Sequence, residues 1–90
     1  MVTVYIPTLM RDLTNGQAFL RSSGQTVDQL FENLEVQCPG IRTQLYDQQG
    51  QLNLYIAIFV NGQSIRDLQL KETPLQDRDE VHIIPAIAGG

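Results

Sequence analysis

The sequence predicts an α+β fold in which one main helix packs across a mixed sheet. Three observations support this prediction: alternating apolar residues at both ends of the chain, a capped amphipathic helix between them, and a hairpin turn in the second half. The 90 residues are enough for one modest core but not for two. The apolar share of 42% is typical of a globular chain rather than a disordered one.

Two strands are predicted before the helix. The alternation of Val2, Val4 and Ile6 with the residues between them predicts a strand that turns Val4 and Ile6 inward and ends at Pro7. Residues 8–16 are expected to form a loop that closes with a turn at Asn15-Gly16. Residues 17–22 are predicted to form the second strand, in which one side presents Phe19 and Arg21 and the other Ala18 and Leu20.

The main helix has the clearest local pattern in the chain. Thr26 followed by Gln29 forms a capping box, which satisfies free N–H groups at a helix start. An apolar stripe at helical spacing follows, made of Val27, Leu30, Phe31 and Leu34. The sequence Cys38-Pro39-Gly40 is expected to end the helix, and residues 41–46 to form a short helical turn.

The second half of the chain predicts the remaining strands. Residues 54–60 are apolar on both faces, with Leu54, Ile56, Ile58 and Val60 alternating with Tyr55, Ala57 and Phe59. Asn61-Gly62 then predicts a tight hairpin turn, with residues 63–66 as a short return strand. Residues 68–80 are expected to be mostly loop, and residues 81–84 to form a last strand limited by Pro85. We expect the first and last strands to be neighbours in the centre of the sheet.

Composition argues against several classes of function. A net charge of −4 argues against nucleic-acid binding, which favours a basic surface. The longest apolar run, residues 55–60, is too short to cross a membrane, and the first residues do not resemble a secretory signal. Cys38 is the only cysteine, so no internal disulfide can form. We therefore expect a cytoplasmic location, with no membrane or nucleic-acid partner.

No catalytic or metal-binding set is predicted within the body of the chain. Cys38 has no histidine near it in the sequence and is interpreted as a structural thiol. His82 is expected to face solvent from the last strand, without the partners that a metal site needs. The charged run of residues 77–80 is interpreted as a solvated loop rather than an acid/base pair.

The last two residues, Gly89 and Gly90, are the strongest functional indication. Glycine has no side chain to bury, and its backbone can enter a slot too narrow for any other residue. Five residues follow Pro85, and fully extended they span about 17 Å. The sequence therefore predicts a folded domain over residues 1–85 and a flexible tail over residues 86–90, whose terminal carboxylate enters the active site of another protein.

Taken over its whole length, the chain resembles the β-grasp, ubiquitin-like sulfur carriers, the family of the molybdopterin synthase small subunit and the thiamine-pathway carrier. The most specific features are Gly89-Gly90 and the entry to the last strand at Asp79-Glu80-Val81. Ile6-Pro7-Thr8 and the final six residues from Pro85 are most similar to the carrier that supplies sulfur for cysteine synthesis.

The resemblance implies a carrier and not an enzyme. An activating enzyme would use ATP to adenylate Gly90, and a sulfur donor would then convert the adenylate into a thiocarboxylate. A sulfur-accepting synthase would receive the sulfur, and the carrier itself would bind no cofactor. Gly89, Ala88, Ile87 and Ala86 would thread into the channel of the partner.

A partner surface is also predicted on the sheet. If Ile56, Ile58, Val81 and Ile83 pack under the helix, the opposite face presents Tyr5, Ala57, Phe59 and Ile84 as an apolar patch. The alternative interpretation is that residues 68–74 cover part of this face. Two other functions remain open at this point: a protein modifier that forms isopeptide bonds through Gly90, and a non-covalent binding module.

Overall fold

The computed structural model describes residues 1–53 and 55–85, and within them five strands form one mixed sheet. The strands are β1 (Val2–Tyr5), β2 (Phe19–Ser22), β3 (Ile56–Val60), β4 (Gln63–Ser64) and β5 (Glu80–Pro85), in the spatial order β2-β1-β5-β3-β4. Strand β5 runs parallel to β1 and antiparallel to β3, while β1–β2 and β3–β4 are antiparallel pairs. The predicted α+β fold and the central pairing of the first and last strands are both confirmed.

Helix α1 (Val27–Gln37) begins as predicted, because the capping residues make the expected hydrogen bonds. The Gln29 N–H donates to the Thr26 hydroxyl oxygen at 3.1 Å. The Gln29 side-chain oxygen in turn accepts from the N–H of Gln25, one residue before the cap, at 2.8 Å. Short helix α2 (Ile41–Leu45) follows, where a helical turn was expected.

The core lies between α1 and the inner face of the sheet. All four residues of the predicted helix stripe are fully buried, and they pack with alternate residues from the central strands. Those strand residues are Val2, Val4, Ile58, Val60, Val81 and Ile83. Because strand side chains alternate between faces, the same register turns their neighbours toward the outer face.

Several segments between the strands are more ordered than the sequence indicates. The predicted loop of residues 8–16 contains a 3₁₀ helix, Thr8–Thr14, which buries Met10 and Thr14 and ends in left-handed backbone at Asn15. Within residues 68–80, a second 3₁₀ helix spans Leu70–Glu72. Met10 in the first segment and Leu75 in the second are buried, and their burial holds each segment against the core.

Six predicted strand boundaries differ from the structure by one or two residues, including the end of β1 at Tyr5. Strand β2 begins at Phe19, β3 begins at Ile56, and β5 extends one residue beyond the prediction at each end. The return strand β4 has only two residues, because buried Ile65 enters a 3₁₀ turn that begins where Ser64 Oγ accepts from the Arg66 N–H. Pro85 is part of β5, at a strand end where its missing N–H does not interrupt the ladder.

Candidate functional site

The chain leaves the folded body from the end of its central strand. The last residue of β5, Pro85, pairs with Ile56, the first residue of β3. The predicted tail residues lie outside the described residues: Ala86, Ile87, Ala88, Gly89 and Gly90. The described structure therefore gives the point from which these five residues depart.

A row of ring-bearing side chains crosses the outer face of the sheet. Strand register pairs Phe19 with Tyr5, Tyr5 with His82, and His82 with Phe59. These four residues therefore occupy one continuous line across β2, β1, β5 and β3. We call these residues, together with Ala57 and Ile84, the outer-face patch.

The rings at the middle of this row are in direct contact. The Tyr5 and His82 rings stack with centroids 4.3 Å apart and planes inclined by 7°. Phe19 approaches Tyr5 from the other side, with centroids 6.0 Å apart at a tilt of 44°. The Tyr5 ring is therefore held between two neighbours, one stacked on it and one tilted against it.

The aliphatic part of the patch lies beside the exit of the chain. Ile84 pairs with Ala57 on the same face as His82, and Ile84 immediately precedes Pro85. Ile84 is 49% exposed and Phe19 is 51% exposed, which is high for large apolar side chains. A protein bound to the patch would therefore contact the chain directly before residues 86–90.

Residues 68–74 do not cover the patch, so the alternative interpretation of this segment is wrong. Its 3₁₀ helix contacts α1, and Pro74 forms a bridge with Thr26 at the start of that helix. The neighbouring residue Leu75 donates its N–H to the Gln25 carbonyl at 2.9 Å. The segment is therefore held on the helix side of the sheet.

Two members of the patch were not predicted. Alternation along each strand assigns a side to Phe19 and to His82, but it does not connect either residue with Tyr5 or Phe59. No pattern within a single strand contains this information, because the row depends on the register between four strands. A proposed register for β1 against β5 would have been enough to find His82.

The other candidate side chains, Cys38 and the charged residues near Asp79, have structural roles. Cys38 is a free, buried thiol, and burial raises its pKa, which opposes formation of a reactive thiolate. Asp79 accepts hydrogen bonds from the Asn61 side chain at 3.0 Å and the Gln76 N–H at 2.8 Å, so it joins two loops. Within residues 1–53 and 55–85, no three His, Cys, Asp or Glu side chains are grouped to hold a metal ion.

A polar cluster that the sequence did not indicate joins the two helices. Tyr46 donates its hydroxyl hydrogen to Asp28 at 2.6 Å, and Arg42 forms an ion pair with the same carboxylate at 3.3 Å. The Arg42 guanidinium also lies 4.2 Å from the centre of the Tyr46 ring. Glu35 accepts the N–H groups of Gly40 and Arg42, both at 2.9 Å, and these hydrogen bonds lower its pKa. This cluster fixes α2 against α1 and lies away from the outer-face patch.

Comparison with known proteins identifies the family. The model of the ThiS family matches residues 4–90, which is almost the entire sequence. The chain belongs to the ThiS family. This ThiS-family chain is 38% identical over 91 residues to the sulfur carrier protein CysO of Mycobacterium tuberculosis (strain ATCC 25618 / H37Rv), covering 99% of the chain and 98% of CysO.

Solved structures agree with this assignment. A chain in the crystal structure of the Amycolatopsis orientalis BexX/CysO complex has a TM-score of 0.94 and 33% identity, with both chains covered completely. The solution structure of the small archaeal modifier protein 1 from Methanosarcina acetivorans has a TM-score of 0.83 and 30% identity, covering 99% of this chain and 95% of that one. The ThiS-family chain therefore has the ubiquitin-like β-grasp fold. Among the helices in its described part, none has both the length and the apolar character needed to cross a membrane.

Proposed function

We propose that this protein is a sulfur carrier that transports sulfur as a thiocarboxylate on Gly90. The main support is the similarity to CysO, 38% identical over 99% of this chain, together with the family match, which extends to residue 90. Sulfur carriers of this kind are small carriers rather than catalysts. The similarity to CysO also favours cysteine biosynthesis as the pathway that receives the sulfur.

The proposed chemistry begins with activation of the terminal carboxylate. A carboxylate is a poor electrophile, because it is anionic and has no good leaving group. The activating enzyme would transfer AMP from ATP to the Gly90 carboxylate and release pyrophosphate. Attack by a donor at the oxidation level of sulfide on the acyl carbon would then break the acyl–phosphate bond, expel AMP and leave a thiocarboxylate, whose anionic sulfur is a nucleophile without an adjacent base. ATP would be bound by the activating enzyme and not by the carrier.

The tail would supply access rather than catalysis. Gly89 and Gly90 have no side chain, which suits a channel that admits only a slender chain. The wall of that channel would contact the small and apolar side chains of Ala86, Ile87 and Ala88. All reacting groups other than the Gly90 carboxylate would then come from the partner, so the carrier needs no catalytic set of its own.

The outer-face patch would be the surface through which the carrier is recognised. It combines exposed Phe19 and three half-buried rings with exposed Ile84, on a face that the described residues leave uncovered, and aromatic residues are enriched at interface hot spots. Because Ile84 lies next to the exit of the chain, a partner that binds this face could receive the tail at the same time. We propose the activating enzyme as one such partner and the sulfur-accepting synthase as another.

The decisive experiment is an intact-mass measurement on the protein recovered from its own cells, with fragmentation that reads the last residues. The expected result is replacement of one oxygen by sulfur, localised to Gly90. Finding only the plain carboxylate under sulfur-replete and sulfur-starved conditions would contradict the proposal. Appending one residue after Gly90 provides the control, because it should abolish the modification.

A protein modifier is the second candidate, favoured by the 30% identity to small archaeal modifier protein 1. In that case Gly90 would form an isopeptide bond with a lysine of a target protein. The same fragmentation experiment separates the two functions, since it would detect branched peptides in place of the thiocarboxylate. Lys71 is the only lysine in the sequence, so chains built on the protein itself would have one possible branch point.

A further inference from the structure

A groove on the helix side of the sheet opens next to the exit of the chain. It has a volume of about 340 Å³, and its apolar lining includes Ile56, Ile58, Ile65 and Leu70. Leu70 is 52% exposed although it is a large apolar residue. Its backbone is in the left-handed region at φ 53°, which is unfavourable for leucine, and the residue lines the groove. The groove therefore offers apolar surface that the described residues leave uncovered.

We propose that the chain's own tail, residues 86–90, docks in this groove when no partner is bound. The side chain of Ile87 would occupy the groove. The first support is position, because Ile56 lines the groove and also pairs with Pro85, directly before the final five residues. Ile87 follows Pro85 by two residues, which at strand spacing places it roughly 7 Å further along. It is the only large apolar residue among the final five.

Strand alternation gives the second support. Val81 and Ile83 face the helix side and are buried, and Pro85 is the next residue in this series. If the alternation continues, Ile87 is the following member and faces the groove, whereas the small side chains of Ala86 and Ala88 face the other way.

Docking would compete with activation of the tail. With Ile87 seated, only the last three residues remain to reach a partner, about 10 Å instead of about 17 Å for all five. An activating enzyme would therefore act only on the fraction of molecules whose tail is free, and its apparent kcat/KM would equal the value for a free tail multiplied by that fraction. The docking itself does not depend on sulfur transfer, whereas this kinetic consequence rests on the proposed function.

The direct test is methyl NMR of the full chain, with the Ile87 signals assigned through Ile87→Val. Nuclear Overhauser effects from the Ile87 methyl groups to those of Ile56 and Leu70 are expected, and random-coil shifts without such effects would overturn the dock. A mixture of labelled and unlabelled chains identifies the occupant, because effects that arise only between different molecules would assign the groove to a second copy.

The kinetic test compares Leu70→Asp with Leu68→Asp, a matched change at a leucine that is 38% exposed and does not line the groove. Leu70→Asp should release the tail, which returns the Ile87 methyl shifts to random-coil values, and raise kcat/KM for adenylation about two- to fivefold. Leu68→Asp should leave both the shifts and the rate unchanged. Equal rates in the two variants, with the tail released only in Leu70→Asp, would overturn the competition between docking and activation. If no variant is adenylated, the proposed function fails, and the NMR result on docking still stands.

Discussion

The imidazole of His82 lies flat on the phenol ring of Tyr5, with centroids 4.3 Å apart and planes inclined by 7°. The two residues come from opposite ends of the sequence, and the parallel pairing of β1 with β5 makes them register partners. Their stack is the centre of the ring row that begins at Phe19 and ends at Phe59. The outer-face patch is therefore a product of topology, assembled from four strands around the strand that leads into the tail.

Phe59→Asp should weaken binding of the activating enzyme while leaving the fold intact. Phe59 lies on the outer face, outside the buried core, and a carboxylate there would have to lose its hydration inside the interface. We expect kcat/KM for adenylation to fall by about tenfold or more, mainly through KM. Val36→Asp is the control, because Val36 is an 82% exposed apolar residue on α1. An unchanged rate in a folded Phe59→Asp protein would show that the patch is not a partner surface.

His82 is expected to act by holding Tyr5 in place rather than by acid/base chemistry. His82→Ala removes the stacked ring, whereas His82→Phe preserves it without any ionisable group. Because an aromatic pair contributes about 0.5–1.5 kcal/mol beyond burial, His82→Ala should lower affinity for the activating enzyme roughly threefold to tenfold. Titration calorimetry of both variants tests this, and equal losses would indicate that the imidazole itself contacts the partner.

Gly89→Val should prevent formation of the thiocarboxylate without affecting stability. The substitution adds a branched side chain one residue before the reacting carboxylate, where the proposed channel admits only glycine. A displacement of about 1 Å at a reacting group can cost 100-fold in rate, and we expect at least that loss. Mass spectrometry and a melting curve measure the two effects. Ala88→Val serves as the comparison, and a fully active Gly89→Val protein would contradict a narrow channel.

The sequence predicts those features that depend on neighbouring residues. The start of α1 is correct because Thr26 and Gln29 define it within one helical turn, and the Asn61-Gly62 turn is correct for the same reason. The return strand was predicted too long because its end depends on burial of Ile65, which lies beneath distant segments. The partners of Tyr5 depend on register between strands, which no local pattern specifies. The final five residues lie outside the described residues, so their predicted role remains a prediction.

Gly24→Ala should destabilise the protein although the glycine is far from the patch. A Cβ atom at this position would lie 2.5 Å from the backbone nitrogen of Leu30 and 2.7 Å from its Cα, so the loop between β2 and α1 lies too close to the helix for any side chain. We expect a loss of about 2 kcal/mol in the free energy of unfolding, or roughly 10 °C in Tm. Thermal unfolding of Gly24→Ala measures this loss, with Ser23→Ala, a change at an exposed neighbouring residue, as the control. A Tm within 2 °C of the parent, roughly the effect of a neutral surface change, would contradict the close approach.

Tyr46→Phe should reduce stability and change its dependence on pH. Burial and the hydrogen bond to Asp28 raise the pKa of the Tyr46 hydroxyl above its ordinary value of about 10. The unfolded chain therefore releases this proton before the folded chain does, and the tyrosine contribution is complete below pH 10 and falls as pH rises above it. At neutral pH the loss of the hydroxyl should cost about 1–2 kcal/mol, because the Asp28 carboxylate loses a donor.

Urea unfolding of the Tyr46→Phe variant and the parent protein between pH 7 and pH 11 measures this effect. The difference in free energy of unfolding should be constant up to about pH 9.5 and then shrink by at most about 1.4 kcal/mol per pH unit. Tyr55→Phe is the matched control, because it removes the same hydroxyl from an exposed tyrosine outside the cluster of Asp28, Arg42 and Tyr46. If the difference in free energy of unfolding between the parent and Tyr46→Phe grew above pH 10, the folded state would favour the ionised hydroxyl. That result would contradict the hydrogen bond that Tyr46 donates to Asp28.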